Sequence, residues 1–448
     1  PSSMKPATPV SENDGFCQAV SNGALRDLGV DSARHLTKFN TIPKINSYQN
    51  VEVQMTVPDT NFIPMPEAGW PVVILQHGIT SNKQAMLAIT GTLSSQGFAT
   101  IAIDHPLHGS RGFSYETPDR TLNFNASTNS ATDYMNLQSL LTTRDNVRQS
   151  ISDILGLRAG LNFSNLTQSG TINPTNVQFM GHSLGAITGT SAVGAANTPV
   201  QSATLSEPEK AQIDAVYALK TATLAMPGGA IANFLLESGQ FGPLIKSSVL
   251  LSIGTAEIKT AFTTFVQSQS GCGAPPFAAC YNAFESYLRA QGQDAAVAAL
   301  YAGYSQFSFA AQTVIDSGDP NNYAQNLVAA ETPVYIIEVT GDGADSLPDQ
   351  VIPNGYANPL AALAAGKMPL AGTEPLINLL AATPVTAVAG PQALAGNAVA
   401  RFNAGDHSSI LSPASSAAAT TEMQTEAVTF FMNKGAALVV ANPSVLAN

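Results

Sequence analysis

The sequence predicts an α/β fold in which a mainly parallel central sheet is flanked by helices and interrupted once by an inserted helical cap. Three observations predict it. Apolar, β-rich runs at 70–75, 99–103, 177–180 and 333–339 alternate with helical stretches at 84–96 and 145–161, and strands that alternate with helices join through crossovers into parallel sheets. The strand pattern vanishes between about 230 and 326, where Ala-, Phe- and Tyr-rich helical stretches replace it, and then resumes. Finally, Gly181-His182-Ser183-Leu184-Gly185 joins the run Val177-Gln178-Phe179-Met180 directly to the small-residue stretch 186–196. That arrangement suits a serine held on a tight strand-to-helix turn, with glycines removing Cβ clashes on either side.

Taken in order, residues 1–50 are rich in Pro, Ser and Asn and read as an extended lead-in. Val51 to Val57 alternates apolar and polar residues, as an edge strand does, whereas Trp70 to Leu75 is continuously apolar, as a buried strand is. In the helix expected at 145–161, Val147, Ile151, Ile154, Leu155 and Leu161 fall mostly on one face. Leu219 to Met226 reads as a further strand, 230–326 as the cap, and Pro333 to Val339 as the strand at which the sheet resumes. The Ala-rich stretch 361–400 reads as a helix with turns, and 420–432 as a closing helix. The expected organisation is therefore a lead-in (1–50) and one compound core (51–229 and 327–448) split by the cap (230–326).

With 448 residues and 44% hydrophobic content, the chain has ample material for a core. A formal charge of −12, with 19 Lys and Arg and no basic run, excludes a nucleic-acid partner, because a phosphate backbone would be repelled. No apolar window of about 18 residues predicts a membrane span. The start at Pro1 fits a removed leader, so the lack of a signal segment does not argue for the cytoplasm. Of three cysteines, Cys272 and Cys280 flank a short Gly/Pro loop and are expected to form a disulfide in an oxidising compartment; Cys17 is left over.

A serine hydroxyl needs a base to take its proton, and the base needs an acid to fix its tautomer. In enzymes built round such an elbow, both follow the serine in the order acid, then histidine. Of six histidines only His407 lies after Ser183, in the polar loop Gly405-Asp406-His407-Ser408-Ser409. The acid is chosen from Asp342, Asp345 and Asp349, with Asp349 preferred because it opens Asp349-Gln350-Val351-Ile352-Pro353. Two backbone N–H groups must meet the developing oxyanion. The expected donors are Leu184, and Ile79 in the loop Gln76-His77-Gly78-Ile79-Thr80 after the 70–75 strand. His77 and His182 read as structural. His105 and His108, in Asp104-His105-Pro106-Leu107-His108, have H-x-x-H spacing, but no Cys or carboxylate cluster converges on them, so loop packing is preferred to a metal site.

These segments, from Gln76-His77-Gly78-Ile79 through the elbow to Pro348-Asp349-Gln350-Val351 and Gly405-Asp406-His407, span about 70–410. They resemble α/β-hydrolase fold lipases and esterases, and more narrowly the secreted bacterial lipase and phospholipase group known as virulence-factor lipases. The resemblance implies acyl-ester hydrolysis by Ser183, Asp349 and His407 without a cofactor or metal, in a secreted, cell-surface or periplasmic protein. Phe234 and Phe241 are the expected substrate-binding residues, and the cap is expected to touch a lipid interface transiently. The alternatives are an esterase or polyesterase for short-chain or polymeric esters, a lysophospholipase and, from another class, a non-catalytic binding module.

Overall fold

The computed structural model describes residues 47–355 and 369–447. The chain divides into a short unit, Pro1–Val51, and a large one, Glu52–Asn448. Nearly all of the expected lead-in, Cys17 and the first part of the Ala-rich stretch lie outside the described residues.

Twelve strands occur among the described residues: β1 (Val53–Thr56), β2 (Trp70–Gln76), β3 (Ala99–Ile103), β4 (Phe113–Glu116), β5 (Thr121–Phe124), β6 (Ile172–His182), β7 (Ala222–Ala225), β8 (Val334–Val339), β9 (Thr383–Pro384), β10 (Gly390–Ala393), β11 (Ala398–Phe402) and β12 (Ala437–Val440). Eight form the main sheet in the order β1-β3-β2-β6-β7-β8-β11-β9. All neighbours in it run parallel except the edge strand β1, which is antiparallel to β3. This is the mainly parallel, helix-flanked sheet that the strand–helix alternation predicts.

The continuous apolar runs follow from burial on both faces. Successive side chains of a strand point to opposite faces. Val72 and Ile74 therefore pack with Val147, Ile151 and Ile154 of the helix Leu140–Leu161 and with Ile187 and Val193 of the helix Leu184–Ala196. Val73 and Leu75 pack with Ile89 and Leu93 of the helix Leu87–Ser94 and with Met423, Phe430 and Phe431 of the helix Ala417–Met432.

Between β7 and β8 the described chain is helical, and its longest helices are Gly242–Ile253, Ala256–Gln267 and Asp294–Ile315. This insertion has a core of its own, with Leu250, Phe262, Tyr281, Phe284 and Tyr304 buried together. Cys272 and Cys280 are joined by a disulfide across a separation of eight residues, as their spacing predicts.

The pattern misses several elements. The stretch 361–400, read as a helix with turns, contains the helix Thr373–Leu379 but also β9, β10 and the start of β11, a strand inside the main sheet. Alanine has little strand preference, and β11 is held instead by its ladders to β8 and β9. The hairpin β4–β5, with Phe113 stacked on Phe124 at 5.1 Å, and the strand β12 after the closing helix were also not anticipated.

The Cys272–Cys280 bond closes a short loop inside the insertion. Replacing both cysteines with serine is expected to lower stability by about 2.5 kcal/mol, the loop-closure entropy for this separation. Urea unfolding of the variant against the disulfide-intact chain measures it.

Candidate active site

Ser183 directly follows β6 and caps the N-terminus of the helix Leu184–Ala196, with φ 55° and ψ −119°. A non-glycine residue seldom adopts this backbone, and such strain costs about 1–3 kcal/mol unless its surroundings impose it. The surroundings here do so. The Ser183 N–H donates to Ala225 O at 2.9 Å, which pins the turn to the end of β7. A Cβ on Gly181 would collide with Gly185 O, and one on Gly185 would collide with Gln76 O at the end of β2. Both glycines of the pentapeptide are therefore required by close backbone approach.

His407 lies in the loop after β11. That loop is shaped by Asp406, whose Oδ1 accepts the Ser408 N–H and the Ser409 hydroxyl. His407 Nδ1 donates to Asp349 Oδ2 at 2.6 Å. Asp349 follows β8, is buried, and accepts the N–H groups of Val351 and Ile352 on Oδ1 at 2.7 and 3.0 Å. Of the three aspartates considered, Asp349 is the one that meets His407. Asp345 is exposed. Asp342 is also exposed and accepts the N–H groups of Ala344 and Ser346, which hold its carboxyl below the usual range. The second ring nitrogen of His407, Nε2, is buried and has no hydrogen-bond partner.

His182, beside the serine in sequence, turns toward the histidine loop, and its Nε2 donates to His407 O at 2.7 Å. Burial, then the nearby His407, lowers its pKa to about 4, so the ring is neutral at pH 7. Gly78 lies against the same group: a Cβ there would stand 3.0 Å from Ser183 Cβ and 3.1 Å from His182 Nδ1. The loop after β2 thus passes directly over the serine. Leu184 opens its helix, so its N–H is one of the four first-turn donors without an intrahelical acceptor. Ile79 is partly buried on the loop beside Gly78.

Three further histidines pack behind this loop. His77 Nδ1 donates to Gly78 O at 2.7 Å, and His77 Nε2 accepts the His105 N–H at 3.0 Å. His105 Nε2 donates to His77 O, and His108 Nδ1 donates to Pro106 O, both at 2.9 Å. Burial first, then mutual repulsion, lowers His77 to about 3; burial lowers His108 to about 4 and His105 well below its ordinary value. Asp104 is satisfied by Lys83 Nζ at 2.7 Å and by the Ser110 N–H and hydroxyl. Among the described residues, no group of three His, Cys, Asp or Glu side chains is placed to hold a metal ion.

A narrow apolar cleft of about 30 Å³ opens beside Ile79, bounded by Met135 and Leu137 on one side and by Leu235, Phe241, Leu244 and Ile245 of the insertion on the other. Phe241 lines it. Phe234, expected with it as a substrate-binding residue, is instead 3% exposed in the core beneath the insertion, and its neighbour Leu235 borders the cleft. Met135, Leu137 and Leu244 were not singled out in the sequence, because only the packing of the insertion on the sheet brings them together. A larger hollow of about 370 Å³, lined by Ala196, Lys220 and Pro333 among others, lies at the opposite ends of the strands from Ser183.

No family model matches the chain. Over 145 residues it is 30% identical to a protein described as an extracellular lipase from Aeromonas hydrophila, a match that covers 32% of this chain and only 19% of that relative's length. Among solved structures it is similar to a lipase in its open form (13% identity, 86% of this chain and 94% of that one, TM-score 0.38). It is also similar to an enol-lactonase from Burkholderia xenovorans LB400 (13% identity, 86% and 97%, TM-score 0.35). A third likeness is to a proline iminopeptidase from Mycobacterium smegmatis (12% identity, 86% and 94%, TM-score 0.37).

Two outcomes follow from this geometry. Gly185→Ala is expected to destabilise the fold by about 3 kcal/mol or more, the upper range for overpacking, read as a fall in melting temperature. His182 refuses a proton in the folded chain down to about 4, against 6.5 for the free side chain. Its contribution to stability is therefore complete above about pH 6.5 and is lost as pH falls toward 4, where the unfolded chain binds the proton first. In His182→Gln, which keeps a donor for His407 O, stability measured by urea unfolding between pH 6.5 and 4.5 should fall less steeply, by up to about 1.4 kcal/mol per pH unit.

Proposed function

We propose that the chain is a serine carboxylic-ester hydrolase that acts on lipid acyl esters through an acyl-enzyme on Ser183. The observation that carries the reading is a strained, glycine-flanked serine whose neighbour His182 is hydrogen-bonded to His407 O, the carbonyl of the residue that pairs with Asp349 and whose Nε2 is buried and unpartnered. In this reading His407 Nε2 takes the Ser183 proton as Oγ bonds to the ester carbonyl carbon, and Asp349 stabilises the imidazolium. The N–H groups of Ile79 and Leu184 receive the oxyanion. His407 then protonates the departing alcohol, and water, deprotonated by the same nitrogen, releases the acid and restores the serine.

The apolar cleft beside Ile79 supports an acyl chain as the group transferred, because it offers hydrocarbon walls next to the expected position of the carbonyl. Its modest volume keeps an esterase for shorter esters as the second reading. The insertion is proposed as the cap, and exposed Ile253 and Phe309 on it would suit transient contact with a lipid surface. The disulfide and the extracellular lipase among the relatives support export.

Ser183→Ala is expected to abolish hydrolysis of p-nitrophenyl esters and labelling by a fluorophosphonate, while Asp349→Asn lowers kcat by about 10⁴-fold, as loss of the correct histidine tautomer does. Retained turnover in Ser183→Ala would sink the mechanism. Leu235→Trp, which fills the cleft, should shift preference toward shorter acyl chains in a p-nitrophenyl ester series; an unchanged profile would place the acyl chain elsewhere.

A further inference from the structure

The H-x-x-H motif takes no part in the chemistry proposed above, yet its second histidine contacts the loop that carries the expected oxyanion donor. His108 Nε2 accepts the Thr80 N–H at 3.2 Å. Thr80 has φ 62°, a left-handed backbone that a β-branched side chain adopts only under constraint. On the other side of Ile79, Gly78 O accepts His77 Nδ1–H at 2.7 Å and the Ser81 N–H at 3.2 Å. The peptide unit is planar and trans, so the Ile79 N–H points away from the side on which Gly78 O is held. Both peptide units that flank the Ile79 Cα are therefore clamped by imidazoles, one through its oxygen and the other through its nitrogen.

We propose that His108 is a positioning residue for the oxyanion donor: by accepting the Thr80 N–H it holds the left-handed turn that keeps the Ile79 N–H aimed at the carbonyl oxygen of an ester on Ser183. The role requires a neutral ring with its lone pair on Nε2. The structure supplies both, since Nδ1–H is committed to Pro106 O and burial holds the ring's pKa at about 4. The ring is held in place by packing, with centroids 5.1 Å from Tyr134 and 5.3 Å from His77. Tyr134 is itself fixed by its hydroxyl contact with Ser150 at 2.8 Å. His105 supports the same clamp from behind, because its N–H and Nε2 both bind His77. This gives the motif a purpose in which no metal takes part.

The inference rests on the ester-hydrolase reading, and its test separates the two. Steady-state hydrolysis of p-nitrophenyl butyrate and the rate of inactivation by a fluorophosphonate are measured for the full chain and for three variants. His108→Leu fills the space but cannot accept a hydrogen bond. His108→Gln offers Oε1 near the place of Nε2, and His108→Asn offers an acceptor too short to reach Thr80. His108→Leu and His108→Asn are expected to lose about 10- to 100-fold in kcat, less than the ~10²–10³ for outright removal of a donor. KM should change little and phosphonate inactivation should slow in parallel, while His108→Gln recovers most of the rate. If His108→Leu does not fold, the comparison of His108→Gln with His108→Asn decides. Equal rates in those two, or a wild-type rate in His108→Leu, overturn the positioning role alone. A wild-type chain inert to both reagents overturns the ester-hydrolase reading itself.

Discussion

The arrangement of the site depends on one close approach, that of the elbow after β6 to the carboxyl end of β2. Gly185 rests against Gln76 O with no room for a side-chain carbon, and Gly181 is as tightly set against Gly185 O. The approach is possible because β2 and β6 are parallel neighbours in register, Leu75 opposite Met180 and Gln76 opposite Gly181. It brings Ser183, the first turn of its helix and the loop 77–80 into one small volume. Backbone strain at Ser183 is tolerated there because the sheet holds the residue from both sides.

Around this contact the protein places neutral imidazoles. Four buried histidines, at 77, 105, 108 and 182, each donate one hydrogen bond to a backbone carbonyl, and two of them also accept a backbone N–H. Desolvation keeps them uncharged. A ring that donates at one nitrogen and accepts at the other can link two loops without burying a charge. A buried charge pair nearby, Lys83 with Asp104, is fully hydrogen-bonded, which is the condition under which such a pair is tolerated.

Much of the fold was legible because fully buried parallel strands must be continuous apolar runs, as Trp70 to Leu75 and Pro333 to Val339 are. β11 was illegible because Val399 and Phe402 stand between residues of weaker strand preference at the end of a long Ala-rich stretch, and the strand is fixed by its ladders to β8 and β9. At the candidate site, Ser183 and His407 stand out by motif and by elimination. The choice among Asp342, Asp345 and Asp349 turned on which loop residue folds inward, a matter of three-dimensional path rather than residue type. The same holds for Phe234 and Phe241, apolar residues in one segment, of which one became core and the other cleft wall.

By itself the sequence determined the succession of the buried strands β2, β3, β6, β7 and β8, the insertion of a helical segment before β8, the elbow and the disulfide. Each of these is written in local spacing, through hydrophobic period, glycine placement or cysteine proximity. Only the tertiary structure decided that Asp349 is the partner of His407, that His182 supports the His407 loop, and that His108 reaches Thr80. Those contacts join residues 58, 225 and 28 positions apart. No local pattern encodes them, because they exist only once the sheet has brought the ends of its strands together.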